Sequence, residues 1–385
     1  MRVLFVSNGH GEDAIAARIA VQLSGLAPAH IDHLALVGDL PAPSVMRAVG
    51  PRLVMPSGGL IAMGNLRNIV ADVRAGLIAH TLRQWWFLRT SRTIYDAVVA
   101  IGDMFVFLMA LVVKSKTLYV GTAKSVYVAP YGPLERYILK RAARVFVRDE
   151  PTAALLRRYG VQAQAPGNVI ADFISGYGPR DFQGSSEERL VLFPGSRAGA
   201  YADAVFLARV LRTAAAVRPR VRGLLSVAPG LLAETFAQKL QADGWVIRTS
   251  ALTGTPFEAL DQGRPLLTAW TGEFSALLHD ATLVLGQAGT ANEAAAAAGV
   301  PIVAFEERKQ KSGDWYRMRQ ARLLGDALHV AGRDLAGATA TVLALLSDAK
   351  RRRQMSQIGR QRMGPPGGAL RIARQLVDLV HDAPR

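Results

Sequence analysis

Leu283-Val284-Leu285-Gly286-Gln287-Ala288-Gly289-Thr290-Ala291-Asn292-Glu293, continued by Gly299-Val300-Pro301-Ile302-Val303, reads as strand, small-residue turn, alanine-rich helix and second strand. A turn of this kind lets a diphosphate approach backbone N–H groups at a helix N-terminus, where the dipole favours negative charge. Glu293 stands one turn into the helix, placed to accept hydrogen bonds from the two hydroxyls of a ribose. These are the parts that hold a nucleotide diphosphate. They lie in the second half of the chain, whereas dinucleotide-binding fingerprints usually open it.

The rest of the chain repeats the β/α rhythm. Residues 3–6 predict a first strand, followed by the loop Ser7-Asn8-Gly9-His10-Gly11-Glu12-Asp13 and a helix over 14–23. Further strands are expected at 33–37, 97–101, 117–120 and 145–148, with helices clearest at 65–79 and 133–143. Strands alternating with helices predict a parallel sheet covered on both faces. A breaker-rich stretch, Gly176-Tyr177-Gly178-Pro179 and Gly184-Ser185-Ser186-Glu187-Glu188, reads as a linker. The pattern then restarts with a strand at 190–193, the loop Pro194-Gly195-Ser196-Arg197-Ala198-Gly199, and a helix over 202–216. Strands follow at 224–227, 245–248, 265–268, 282–285 and 302–304. The expected fold is α/β, with two Rossmann-like domains over 1–178 and 187–364 whose parallel sheets face a central cleft. After Pro365-Pro366-Gly367-Gly368, the segment 365–385 is expected to form a helix that packs back on the first domain.

Composition narrows the chemistry. There is no cysteine, which excludes disulfides, thiolate metal sites and cysteine nucleophiles. Seven histidines show no HExxH-type spacing, so no metal ligands are expected. The formal net charge is +16, which favours phosphate-bearing partners. High genomic GC content also enriches arginine, but it does not explain clustering. Between positions 41 and 92 stand seven arginines and a single acid, Asp72. The chain opens directly on a strand rather than a signal peptide. Its longest clean apolar run, residues 104–113, is too short to cross a bilayer as a helix.

Several motifs carry both a chemical and a structural reading. Gly9 and Gly11 do not complete GxGxxG, which disfavours a nicotinamide or flavin dehydrogenase. In the same turn His10 can act as a base and Glu12 and Asp13 favour the helix dipole, though Asp13 also suits a simple cap. Gly195, Ser196 and Arg197 follow a strand directly, so hydroxyl, backbone N–H and guanidinium can meet phosphate oxygens; an ordinary βα turn is the alternative. Asp103 ends a strand after Ile101-Gly102, as a general base or as a helix N-cap. Arg67, Arg74, Arg83 and Arg89 accompany Trp85 and Trp86 in a stripe that fits either an anionic bilayer surface or a buried core.

Taken together these residues resemble the lipid-A-disaccharide synthase family, especially its related-glycosyltransferase branch, over nearly the whole chain. Phe193-Pro194-Gly195-Ser196-Arg197 is similar to that family's leucine-proline-glycine-serine-arginine loop. Gly11-Glu12-Asp13 stands where the family has its first glycine-acid loop. Ile101-Gly102-Asp103 resembles the segment carrying its proposed catalytic aspartate, and Leu118-Tyr119-Val120 with Tyr127-Val128-Ala129-Pro130 resembles the motif that follows. The spacing from Thr290 to Glu293 departs from it and resembles the peptidoglycan N-acetylglucosaminyltransferase, whose glutamate binds the uridine ribose. The resemblance implies a two-domain GT-B fold, metal-independent chemistry without cofactor, and action at the cytoplasmic face of the membrane.

The expectation is therefore an inverting glycosyltransferase moving a GlcNAc-type sugar from a UDP-sugar to a lipid-linked acceptor, peripheral on the inner face of the plasma membrane. Gly195, Ser196, Arg197, Gln287, Gly289, Thr290 and Glu293 form the expected donor site. Asp103, with His10 second, is the expected base, and Gly9, Gly11, Glu12 and Asp13 form the acceptor-side loop. The membrane contact is expected at Arg67, Arg74, Arg83, Trp85, Trp86 and Arg89. The alternative is a UDP-N-acetylglucosamine 2-epimerase of the same fold. No nucleic-acid partner is expected, because helix-turn-helix, zinc and aromatic-basic strand signatures are all missing.

Overall fold

The computed structural model describes residues 1–37, 44–53, 73–74, 76–174, 187–197, 199–306 and 311–381; the side chains of His10 and of 311–316 fall outside the description. The predicted linker up to residue 186, Arg67 and most of the helix expected at 65–79 also lie outside it, and Glu188, the last linker residue expected, opens a strand instead. The chain divides into two compact units, one made of Met1–Asp172 with Gly364–Arg385 and the other of Phe173–Met363.

The first unit is built on a seven-stranded, all-parallel sheet of order β3-β2-β1-β4-β5-β6-β7. Its strands are β1 (Arg2–Ser7), β2 (His30–Ala35), β3 (Arg47–Ala48), β4 (Ala97–Gly102), β5 (Lys116–Gly121), β6 (Arg144–Val147) and β7 (Ala163–Gln164). Every residue of β4 is buried, as a strand covered on both faces requires. The helices are α1 (His10–Leu26), α2 (Leu77–Thr90), α3 (Met104–Leu111), α4 (Pro133–Leu139) and α5 (Glu150–Arg158). Order reverses between β1 and β4, whose C-terminal ends carry the loops at 8–9 and 102–103. In open α/β sheets that reversal is where ligands bind.

The second unit has eight strands in the order β10-β11-β12-β9-β8-β13-β14-β15. These are β8 (Glu188–Phe193), β9 (Val221–Ser226), β10 (Val246–Thr249), β11 (Phe257–Asp261), β12 (Arg264–Trp270), β13 (Ala281–Gly286), β14 (Ile302–Phe305) and β15 (Leu328–Ala331). Six run parallel, while β10, β11 and β12 pair antiparallel along one edge. The wholly parallel sheet expected here is thus corrected at its edge, where β11 was not anticipated. Gln262 and Gly263 both have positive φ, 47° and 77°, the geometry of a two-residue hairpin turn. Its helices are α6 (Ala200–Val217), α7 (Ala233–Ala242), α8 (Phe274–Leu277), α9 (Thr290–Ala298), α10 (Lys311–Leu324), α11 (Leu335–Ser347) and α12 (Ala349–Met363).

The alanines of α9 now have a packing reason. A Cβ on Gly359 of α12 would lie 2.5 Å from the Ala296 carbonyl, so two backbones touch where larger side chains would separate them. Buried Arg352, also on α12, donates to the carbonyls of Leu345 and Leu346 at 2.5 Å each. It places a cation at the C-terminal end of α11, where the dipole is negative.

The last helix, α13 (Gly368–His381), buries Ala369, Ile372, Ala373 and Leu376 and packs on α1. Asp172 accepts hydrogen bonds from the backbone N–H groups of Gly367 and Ala369, the latter at 2.7 Å, and its own carbonyl accepts from Arg18. Lys116 Nζ donates to the Leu379 carbonyl at 2.8 Å near the other end. Replacing Asp172 with alanine strips two charge-assisted bonds from a buried helix start, and the expected cost is about 1–3 kcal/mol. Hydrogen exchange of the α13 amides should accelerate accordingly, leaving α9 amides unchanged.

Candidate active site

In the second unit, β13 delivers the loop 286–289 to the N-terminus of α9. Gly289 precedes the helix and no side chain caps the first turn, the arrangement in which the leading N–H groups of a helix can meet an outside acceptor. The loop is held by its carbonyls. Buried Asn292 donates from Nδ2 to the Gly286 carbonyl and to Gln320 Oε1, both at 3.2 Å. Gln320 Nε2 donates to the carbonyls of Ala288 and Gly289, both at 3.1 Å. Arg317, only 2% exposed, lies 2.9 Å from Gln320 Oε1 and within 3.5 Å of the Gly286 and Gln287 carbonyls. A Cβ at Gly286 would stand 2.0 Å from Asn292 Oδ1, so this network admits only glycine there.

The expected donor-site residues divide. Gly289, Thr290 and Glu293 stand at the start of α9, half-buried. Gly195, Ser196 and Arg197 follow β8, the neighbour of β13, and Ser196 and Arg197 are exposed. Gly195 has φ 112°, a conformation that side chains rarely adopt. Gln287 differs from expectation. Its amide pairs with the Phe305 backbone, accepting from N at 3.0 Å and donating to O at 3.1 Å. That side chain ties two strand ends together.

In the first unit, carboxylates gather at the ends of β1 and β4. Asp103 caps α3: Oδ1 accepts from the N–H groups of Phe105 at 3.0 Å and Val106 at 3.2 Å, and Asn8 Nδ2 lies 3.5 Å from Oδ2. Its N-cap reading therefore holds. Asp13 caps nothing; it accepts from the Ser7 hydroxyl at 2.5 Å. Gly9, with φ 126°, precedes α1 without a side-chain cap. Gly11 lies in the first turn of α1. His10 opens that helix, but its side chain lies outside the described residues.

Glu12 is the group that the surroundings alter most. Its Oε1 accepts from Thr122 Oγ1 at 3.1 Å. Cβ atoms at Gly9 and Gly102 would lie 3.2 and 3.5 Å from its side chain. Burial pushes the Glu12 carboxyl up to about 7, against the pull of its backbone and Thr122 hydrogen bonds and with help from the Asp13 and Asp103 charges. A carboxyl that exchanges its proton near neutrality is suited to acid–base work. Thr122 had a positional signal in the sequence, since it follows β5 as Asp103 follows β4. Asn292, Arg317 and Gln320 had none, because their partners lie up to 32 residues away.

Helix α2 is turned inside out. Ile78, Leu82 and Trp86, spaced by four, are 61%, 61% and 62% exposed, while His80, Gln84 and Leu88 are buried. Gln84 Nε2 donates to the carbonyls of Leu36 at 3.0 Å and Pro51 at 3.2 Å. Arg74, Arg83 and Arg89 are exposed, and Arg89 stacks over Trp85 with 5.5 Å to the ring centroid. On α3, Phe105 and Leu108 are exposed as well. No helix among the described residues is long and apolar enough to cross a membrane. Among the same residues no cluster of three potential metal ligands occurs.

No protein-family model matches the sequence, and no curated protein matches it. Solved structures do match over almost the entire chain. The calicheamicin glycosyltransferase CalG4 is similar with a TM-score of 0.63 at 15% identity, covering 100% of this chain and 99% of that one. UDP-GlcNAc 2-epimerase from Neisseria meningitidis, solved bound to UDP-GlcNAc, gives 0.57 at 13% identity over 98% and 100%. MurG from Acinetobacter baumannii gives 0.53 at 14% identity over 99% of each chain. At such identities the likeness establishes the fold: a two-domain, Rossmann-like GT-B protein.

The raised Glu12 affinity has a consequence for stability. Between the ordinary carboxyl range and about 7, the folded chain holds a proton that the unfolded chain has released. Stability therefore falls as pH rises through that window. Glu12→Gln should remove this loss, raising the melting temperature relative to the parent more at pH 8 than at pH 5, as read by differential scanning calorimetry.

Proposed function

We propose that this protein is an inverting glycosyltransferase that moves a GlcNAc-type sugar from a UDP-sugar to a lipid-linked acceptor at an anionic membrane surface. The observation that carries the reading is α2. His80 and Gln84 are buried with Leu88, while Ile78, Leu82 and Trp86 face solvent beside arginines, in a stretch without acids from 73 to 90. Such a face gains nothing in water and gains burial in an anionic bilayer interface. It belongs to the unit that also holds the carboxylates, so the acceptor reaches that unit from the membrane.

Donor binding falls to the second unit. The uncapped start of α9 receives the diphosphate, Ser196 and Arg197 bind its oxygens, and Glu293 takes the ribose hydroxyls. The helix dipole and Arg197 offset the charge that develops on departing UDP. Glu12 is the base that takes the acceptor proton, because its affinity is tuned toward neutrality while Asp103 is committed to capping α3. This reading needs no metal and no cofactor, and it places the protein peripherally on the cytoplasmic face.

A second reading, epimerisation of the sugar while it stays on UDP, draws support from the similarity to UDP-GlcNAc 2-epimerases. It leaves α2 without a role. Incubating UDP-GlcNAc with the protein alone separates the two, since only an epimerase changes the sugar without an acceptor.

Two outcomes follow from the proposal. Arg197→Ala and Glu293→Ala should each weaken UDP binding about 10- to 100-fold by calorimetry; unchanged affinity in both removes the donor assignment. Leu82→Glu with Trp86→Glu should lower binding to phosphatidylglycerol vesicles by at least about tenfold. The same pair should cut transfer to lipid acceptors while UDP affinity stays as in the parent. Vesicle binding equal to the parent's sinks the membrane assignment.

A further inference from the structure

One buried polar chain has no part in the roles assigned above. Ser7, at the end of β1, is wholly buried, and His33 on β2 is 3% exposed. Ser7 Oγ lies 2.7 Å from His33 Nε2 and 2.5 Å from Asp13 Oδ1, and His33 Nε2 lies 3.6 Å from the same carboxylate oxygen. On the other side of the ring, Arg52 Nη2 lies 3.4 Å from His33 Nδ1 and donates to the His33 carbonyl at 3.0 Å.

Serine, histidine and aspartate together suggest a nucleophile, but the geometry rules it out. Ser7 has no accessible surface, and the aspartate meets the serine rather than the far nitrogen of the imidazole, where a triad needs it. The donors instead run one way. Arginine only donates, so Nδ1 of His33 accepts and Nε2 carries the proton. That proton goes to Ser7 Oγ, which leaves the Ser7 hydrogen for Asp13. Each group has a single orientation.

We propose that Arg52, His33 and Ser7 are positioning residues: their directed hydrogen bonds fix the Asp13 carboxylate as a charge beside Glu12 and so set how tightly Glu12 holds its proton. The assignment rests on the reading of Glu12 as the acceptor's base, but its test does not. The neighbours of Glu12 come from several elements: Asp13 from α1, Asp103 from the β4–α3 turn, and Thr122 from beyond β5. Arg148, after β6, donates to the Thr122 carbonyl at 3.0 Å. Asp103 is held by its own cap, which leaves Asp13 as the charge this chain of bonds can govern.

The experiment labels glutamate carboxyl carbons with ¹³C, assigns Glu12 by its loss in Glu12→Gln, and titrates the parent, Asp13→Asn and Ser7→Ala by NMR. Removing the charge in Asp13→Asn should lower the Glu12 midpoint by up to about one pH unit, and freeing the carboxylate in Ser7→Ala should move that midpoint by a smaller amount. The acid limb of the kcat–pH profile should move with it, while KM for the UDP-sugar stays within about twofold. If both variants lose thermal stability and the Glu12 midpoint stays where it was, the bonds serve packing only and the proposal falls. If the midpoint moves but Glu12→Gln turns over like the parent, the positioning role stands and the base assignment fails. Ser7→Ala removes a single oxygen and Asp13→Asn keeps the shape, so both variants are expected to fold.

Discussion

The second unit's site depends on hydrogen bonds made beneath a loop. The loop at 286–289 can present the start of α9 to a ligand only if its carbonyls are satisfied from behind. Asn292, Gln320 and Arg317 do this with amide and guanidinium donors in a buried space. Breaking one of these bonds leaves a polar group unsatisfied out of water, which costs more than the bond contributes when made. The loop is thereby held in one conformation before any ligand arrives, and preorganised donors of this kind lose little on binding.

The first unit solves a different problem with the same materials. Its strand ends bring together carboxylates that repel one another, and the fold assigns each a separate environment. Asp103 is stabilised by a helix start, Asp13 by a buried hydroxyl, and Glu12 is left short of donors. Glycines 9 and 102 make the crowding possible, since both have strongly positive φ and both face the Glu12 side chain. Glu12 therefore holds its proton more tightly than an ordinary glutamate because of where it is placed. Helix α2 also sets neighbours against type: it buries the bonded polar side chains of His80 and Gln84 and exposes Ile78, Leu82 and Trp86.

Much of this was legible in the sequence, for physical reasons that differ by element. The β/α rhythm and the two glycine loops were readable because strand ends and helix starts leave local signatures. Gly289, Thr290 and Glu293 could be placed at a helix start from spacing alone. Gln287 could not be judged, because its partner Phe305 belongs to another strand. A strand was expected at 265–268, where β12 lies, but its hairpin partner β11 was missed because it is short, between β10 and β12, and only partly buried. Asp103 had two readings that only coordinates could separate, and Glu12 looked like an ordinary dipole partner until its burial was visible. The inversion of α2 was hidden as well: its stripe of Ile78, Leu82 and Trp86 has the period of any core-facing helix.

Helix α13 makes the first unit discontinuous in sequence: Gly364–Arg385 is grouped with Met1–Asp172, while Phe173–Met363 lies between them along the chain. The packing of α13 on α1 therefore joins segments that a whole second unit separates in sequence. Closing so long a loop carries an entropic cost that contacts local in sequence do not. The first unit thus depends on a contact whose cost is set by the length of the second.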